Sequence, residues 1–72
     1  MTADDAIREL GALTPREREC LVYRCKGEGR VGIAQAMSID IKTVDKHLEK
    51  VRSKLDMNLY AACWLVGKAG LG

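Results

Sequence analysis

Apolar residues along the 72-residue chain recur mostly at three- and four-residue intervals, a period that predicts helices. The clearest case is residues 41–55, where Val44, Leu48, Val51 and Leu55 form one apolar stripe. Most of the positions between them are charged, so the opposite side of this helix should face solvent. We therefore expect residues 41–55 to form a helix with one buried and one exposed face.

Helix-start signals divide the rest of the chain into shorter helices. Thr14, Pro15 and Glu17 have the order of a capping box with proline in the first turn, which predicts a helix from residue 15 to about residue 26. Asp40 and Asn58 are candidate N-caps of later helices. Three further short helices are predicted, over residues 1–10, 30–37 and 59–68. The pattern as a whole predicts a small all-α domain.

Two of the predicted helices, residues 30–37 and 41–55, are joined by a tight turn. This is the layout of a helix-turn-helix, whose second helix lies in the major groove of DNA. A helical bundle with one solvated, charged helix has the same layout. The order of the elements therefore leaves both interpretations open.

Composition narrows the possible functions. Twelve Lys and Arg against ten Asp and Glu give a net charge of only +2, so DNA binding requires basic residues gathered on one face. Cys20, Cys25 and Cys63 show no C-x-x-C spacing and His47 is the single histidine, so no zinc site is expected. We expect three reduced, buried cysteines in a cytoplasmic protein. No apolar run reaches the roughly 20 residues of a membrane span.

The sequence also lacks the residues of a catalytic site. It has one histidine, no phosphate-binding glycine loop of the P-loop type, and no paired carboxylates expected in a pocket. We therefore expect neither an enzyme nor a cofactor, and no small-molecule ligand is evident.

Specific motifs then favour the DNA-binding interpretation. They are "LTPRERECL" at residues 13–21, "IA" at 33–34, "KTVxxHL" at 42–48 and "KL" at 54–55. Together they resemble the LuxR-type, or GerE/FixJ-type, helix-turn-helix domain, without a gap over residues 13–57. Region 4 of sigma factors has a similar start, but His47 and the "KL" pair favour the LuxR type.

The resemblance implies a four-helix domain over residues 13–72, preceded here by a short extra helical segment at residues 1–12. It implies a transcriptional regulator that binds duplex DNA as a homodimer, with helix 41–55 in the major groove. It also implies a dimer contact through the last helix. Because 72 residues leave no room for a sensory domain, the chain resembles the stand-alone GerE-like kind.

The resemblance and the exposed positions of helix 41–55 together suggest a set of DNA-contacting residues. The candidates are Lys42, Thr43, Asp45, Lys46, Glu49 and Lys50 on that helix, with Arg30 and Arg16 elsewhere. Asp45 and Glu49 depart from the family, which commonly has basic residues at these positions, and one turn apart they should repel each other. Either they accept hydrogen bonds from cytosine while lysines hold phosphates, or the helix has lost tight DNA binding and serves a protein.

The last helix is apolar nearly all round, which predicts a partner as well as a core contact. One face has Leu59, Cys63 and Val66, and the other has Tyr60, Trp64 and Leu71. We expect a symmetric dimer through this helix. The alternative is an interaction module or anti-activator that binds another LuxR-type regulator or RNA polymerase.

Overall fold

A computed structural model describes residues 2–70, and within that range the chain forms five helices and no strand. The helices are α1 (Ala3–Leu10), α2 (Pro15–Cys25), α3 (Arg30–Met37), α4 (Ile41–Leu55) and α5 (Leu59–Ala69). The predicted all-α class is confirmed, and the bounds of α3 and α4 agree with those predicted from the sequence. No helix in this part of the chain is long and apolar enough to cross a membrane.

Local side-chain caps explain where α2 and α5 begin. The Thr14 hydroxyl accepts from the Glu17 N–H, and the Glu17 carboxylate accepts from the Thr14 N–H at 3.0 Å, which completes the predicted capping box. The Asn58 side chain accepts from the Ala61 N–H at 2.8 Å. Asp40 stands at the N-cap position of α4, but its side chain accepts no capping hydrogen bond, so that part of the prediction is wrong.

The core consists of two buried clusters, and α4 contributes to both. The first cluster joins α1, α2, α4 and α5 around Leu10, Leu21, Val51, Leu55 and Leu65. The second joins α2, α3 and α4 around Cys20, Ile33, Met37, Val44 and Leu48. The apolar stripe of α4 is thus buried along its whole length, which fixes the helix in its rotation and leaves its opposite side exposed.

α1 packs into the first cluster through Ala6 and Leu10, which are buried beside Leu65 and Val66 of α5. The extra segment that the sequence places at residues 1–12 therefore shares a core with the residues that follow it. Its packing also covers one side of α5.

The structure corrects the expectation of three reduced cysteines. Cys25 at the end of α2 and Cys63 in α5 form a disulfide, and only Cys20 is a free thiol. The two partners are 38 residues apart in sequence, so no local spacing indicates the pair, yet the packing of α5 on α2 brings their Cα atoms to 5.3 Å. Cys20 is buried in the core as predicted, and burial raises the pKa of its thiol to about 11, with a smaller effect from the charge of Glu19.

The ends of α3 and α4 have left-handed backbone conformations that the sequence did not indicate. Ser38 ends α3 with φ of 55°, and Asp56 ends α4 with φ of 52°. Glycine adopts this region freely, whereas a residue with a Cβ is strained there. The turn of the helix-turn-helix is therefore built around a serine in a strained conformation.

Candidate nucleic-acid interface

The side of α4 opposite the buried stripe carries mostly positive charge. Lys42, Lys46, Glu49 and Lys50 are all exposed on it, and we call these four residues the outer face of α4. Their spacing of four, three and one residues keeps them on one side of the helix. Three lysines against one glutamate give this one face a net charge of +2, as large as that of the whole chain.

Asp45 does not belong to this outer face, because Arg30 of α3 holds it. The Arg30 guanidinium donates to both carboxylate oxygens, at 2.6 Å from Nε and 2.7 Å from Nη2. This two-point geometry is the one that arginine and carboxylate groups match best. The charge of Asp45 is thereby balanced by Arg30, and the repulsion expected between Asp45 and Glu49 is reduced.

The same ion pair gives Arg30, which the sequence suggested as a phosphate contact, a partner within the protein. Arg30 links the first turn of α3 to the second turn of α4. Both side chains remain about half exposed, so the pair contributes at most about 1 kcal/mol to stability. Its main effect is to balance the negative charge of Asp45 on α4.

Arg16 also has protein partners in the structure. Its guanidinium donates to Glu19 at 3.0 Å and to the main-chain carbonyl of Met37 at 2.9 Å. The second bond satisfies a carbonyl at the C-terminal end of α3, where helices leave such groups unpaired. Arg16, a predicted phosphate contact, thus fixes α2 to the end of α3.

An ion pair between the exposed Lys54 and the buried Glu17 anchors the far end of α4 to α2. Lys54 Nζ lies 2.7 Å from Glu17 Oε1, and Glu17 is only 3% exposed. Burial acts to raise the pKa of Glu17, but the hydrogen bonds from Lys54 and from the Thr14 N–H, with the charge of Lys54, outweigh burial and lower it. The sequence indicated Glu17 as a capping residue but not its pairing with Lys54, because the two residues are separated by 37 positions.

The start of α4 lies beside an open groove at the turn between α3 and α4. Lys42 and Thr43, both predicted phosphate contacts, line it together with Gln35, Ser38 and Asp40. Asp40, whose carboxylate accepts no capping bond, is an acidic residue at the edge of this groove. The sequence did not single out Gln35, Ser38 or Asp40 as neighbours of a ligand, although the place of Ser38 and Asp40 in the predicted turn was a usable signal.

The residues predicted for a partner interface on α5 separate into exposed and covered groups. Tyr60 is 90% exposed and Trp64 is 54% exposed, with Lys68 Nζ 5.4 Å from the centroid of the Trp64 ring. We call Tyr60 and Trp64 the aromatic face of α5. The remaining four are placed differently: Val66 is core, Leu59 and Cys63 are half-buried, and Leu71 lies outside the described residues.

A comparison with known families identifies the chain's relatives. The family model GerE, described as bacterial regulatory proteins of the luxR family, matches residues 11–62. The match spans α2, α3, α4 and the first four residues of α5, and it confirms the resemblance drawn from the motifs. No solved structure matches the chain.

Proposed function

The chain belongs to the luxR family of bacterial regulatory proteins, a family of DNA-binding helix-turn-helix domains rather than of enzymes, and on this premise we propose a transcriptional regulator that binds duplex DNA as a homodimer. In this proposal α4 enters the major groove, and the domain is sufficient for binding by itself. Binding to bacterial DNA places the protein in the cytoplasm.

The outer face of α4 is the observation that carries the proposal. Its three exposed lysines can neutralise phosphates on either side of the groove, and each such contact releases a bound counterion. The Asp45 charge, which would oppose a phosphate, is already balanced by Arg30. DNA affinity therefore does not require a strongly basic chain.

Glu49 is the acid of the outer face, and we assign it a role in base recognition. A carboxylate can accept a hydrogen bond from the N4 amino group of cytosine in the major groove. Glu49 is exposed and has no ion-pair partner within residues 2–70, so its acceptor atoms are available. Lysines on either side would offset its repulsion from phosphate.

The aromatic face of α5 supports the homodimer. Tyr60 and Trp64 are large, exposed side chains of the kind enriched at the centre of protein interfaces. A two-fold dimer through α5 would present two copies of α4 to successive major grooves, about 34 Å apart on one side of the duplex. A palindromic binding site follows from that symmetry.

Selection of bound duplexes from a random pool, followed by titration of the best duplex at several salt concentrations, tests the proposal. If all three outer lysines of both protomers contact phosphates, the logarithm of the affinity should fall against the logarithm of salt concentration with a slope of about −5. Absence of salt-sensitive binding at micromolar protein would reject it. Sedimentation of the free protein tests the dimer separately.

A second candidate is a protein-interaction module that blocks another LuxR-type regulator or binds RNA polymerase. The exposure of Tyr60 and Trp64 favours it, because those side chains suit a hetero-partner as well as a second copy. The exchange Glu49→Lys separates the two candidates. DNA binding that appears only in this variant supports the interaction module, whereas altered base preference from an already binding protein supports the regulator.

A further inference from the structure

The disulfide between Cys25 and Cys63 lies in an open cleft at the surface. Both residues are half-buried and line a cleft of about 560 Å³ together with Arg24, Tyr60 and Trp64. The cleft is thus bordered by the aromatic face of α5. A small thiol entering it would meet the disulfide without the helices having to separate.

The position of the disulfide in the chain makes it important for stability. The segment between Cys25 and Cys63 contains the whole of α3 and α4, so the bond closes a loop around the entire helix-turn-helix. Closing a loop of this length lowers the entropy of the unfolded chain substantially. A domain of 72 residues buries a small core and depends strongly on such a cross-link.

Cys20 provides an internal contrast to this pair. It lies in the second core cluster with its side chain fully buried, and burial raises the pKa of its thiol to about 11. A thiol that is both inaccessible and protonated reacts slowly with disulfides. The chain therefore combines one inert thiol with one reachable cystine.

We propose that Cys25–Cys63 is a thiol–disulfide exchange site through which a dithiol reductant destabilises the domain. A thiolate of the reductant attacks one sulfur of the pair, and a mixed disulfide forms as the other sulfur leaves. The second thiol of the reductant then displaces the remaining protein sulfur. Two electrons and two protons pass to the protein, which gains two thiols, while the reductant becomes a disulfide.

The proposal rests in part on the proposed function, because it assumes that the domain acts in the compartment that contains the DNA, the bacterial cytoplasm. Thiols are kept reduced in that compartment, and the disulfides found there are mostly transient or redox-sensing. Reduction would then weaken the fold that carries the surface proposed for the dimer.

The first test measures the thermal midpoint of the purified protein after treatment with oxidised glutathione and again after dithiothreitol. We expect reduction to lower the midpoint by on the order of 10–20 °C. The control is Cys25→Ala/Cys63→Ala, whose midpoint should match that of the reduced protein and should not respond to either reagent. A decrease of less than about 5 °C in the unsubstituted protein would overturn the proposal.

The second test measures access to the disulfide. Alkylation of the denatured protein, read by intact mass, should count one thiol after oxidised glutathione and three after dithiothreitol. The rate of reduction of the folded protein should rise in proportion to dithiothreitol concentration, because the reagent reaches the bond directly. Three thiols in the oxidised sample, or a rate that levels off at the unfolding rate, would overturn the proposal.

Neither readout involves DNA, so the two proposals can fail independently. If the protein passes both redox tests but binds no duplex, the exchange site is supported and the proposed function is rejected. If it binds DNA with the expected salt dependence but shows no redox effect, the proposed function is supported and the exchange site is rejected.

Discussion

The outer face of α4 and the aromatic face of α5 are built on similar helices but differ in chemistry. Each helix buries an apolar stripe in the first core cluster, and each exposes the opposite side. On α4 the exposed side carries Lys42, Lys46, Glu49 and Lys50, whereas on α5 it carries Tyr60 and Trp64. Charge attracts a phosphate backbone, and exposed aromatic rings favour a protein surface.

This difference shows why a net charge of +2 is a poor guide to the partners of this protein. Several of the charges are used within the fold: Arg30 and Lys54 bind carboxylates of neighbouring helices, and Arg16 binds Glu19 of its own helix. The lysines on the outer face of α4 have no such partners within residues 2–70. Placement, rather than the sum of charges, separates the surface proposed for DNA from the surface proposed for a protein partner.

The largest expected effect comes from neutralising the outer face of α4. The double variant Lys46→Gln/Lys50→Gln should weaken DNA binding by roughly 100-fold and reduce the salt slope by about four for a dimer, because four phosphate contacts are lost. Its thermal midpoint should hardly change, since both side chains are exposed. Lys68→Gln on α5 is the matched control, and an equal loss of affinity there would remove the distinction between the two faces.

Substitution in the aromatic face of α5 should affect self-association rather than the contacts with DNA. Trp64→Ala should weaken self-association by at least about 30-fold, as expected for an aromatic residue at the centre of an interface, while the fold is retained. Sedimentation over a range of protein concentrations measures this. Val31→Ala, which truncates an exposed apolar residue on α3, is the control. Unchanged association in both variants would exclude α5 as the dimer surface.

Glu49 is the point where the electrostatic and base-recognition roles of α4 can be separated. Glu49→Gln should relax the preference at one base pair by about tenfold, because the charged acceptor for cytosine N4 is lost. Asp45→Asn should leave that preference intact, since Arg30 already engages Asp45. Repeating the duplex selection with both variants makes the comparison, and equal changes would refute the assignment.

Lys54 should show that a lysine of α4 can be structural rather than DNA-binding. Lys54→Gln should lower the free energy of unfolding by about 1–2 kcal/mol near neutral pH and leave the salt slope of DNA binding unchanged. Denaturant titration measures the first quantity. A reduced salt slope would instead place Lys54 among the phosphate contacts.

The contribution of this ion pair should also depend on pH. Because the pKa of Glu17 is lower in the folded protein, the pair stabilises the fold at pH values above the unfolded pKa of about 4.5. That stabilisation should be lost as pH falls through the folded pKa. In Glu17→Gln, this part of the pH dependence should be absent, which denaturant titrations across the acidic range would detect.

The smallest expected effect concerns the turn that sets α4 against α3. Ser38→Gly should raise the free energy of unfolding by about 0.5 kcal/mol, because glycine relieves the left-handed strain but gives the unfolded chain more freedom. DNA affinity should stay the same if the turn only positions α4. A loss of affinity with a gain of stability would show that the Ser38 hydroxyl, which lines the groove, contacts DNA.

The sequence by itself determined the helices of this protein, because their signals are local. The capping box at Thr14 and Glu17 and the period of the α4 stripe each lie within a few residues, so the start of α2 and the bounds of α4 could be read directly. The family motifs are equally local and led to the luxR family.

Only the tertiary structure decided which side chains meet across helices. Arg30 and Asp45, Glu17 and Lys54, and Cys25 and Cys63 are separated by 15, 37 and 38 residues, so no periodicity within one helix relates them. Each pair forms because buried stripes fix how neighbouring helices rotate and pack. That packing pairs Asp45 with Arg30 and Lys54 with Glu17, and it leaves the outer lysines of α4 exposed to solvent.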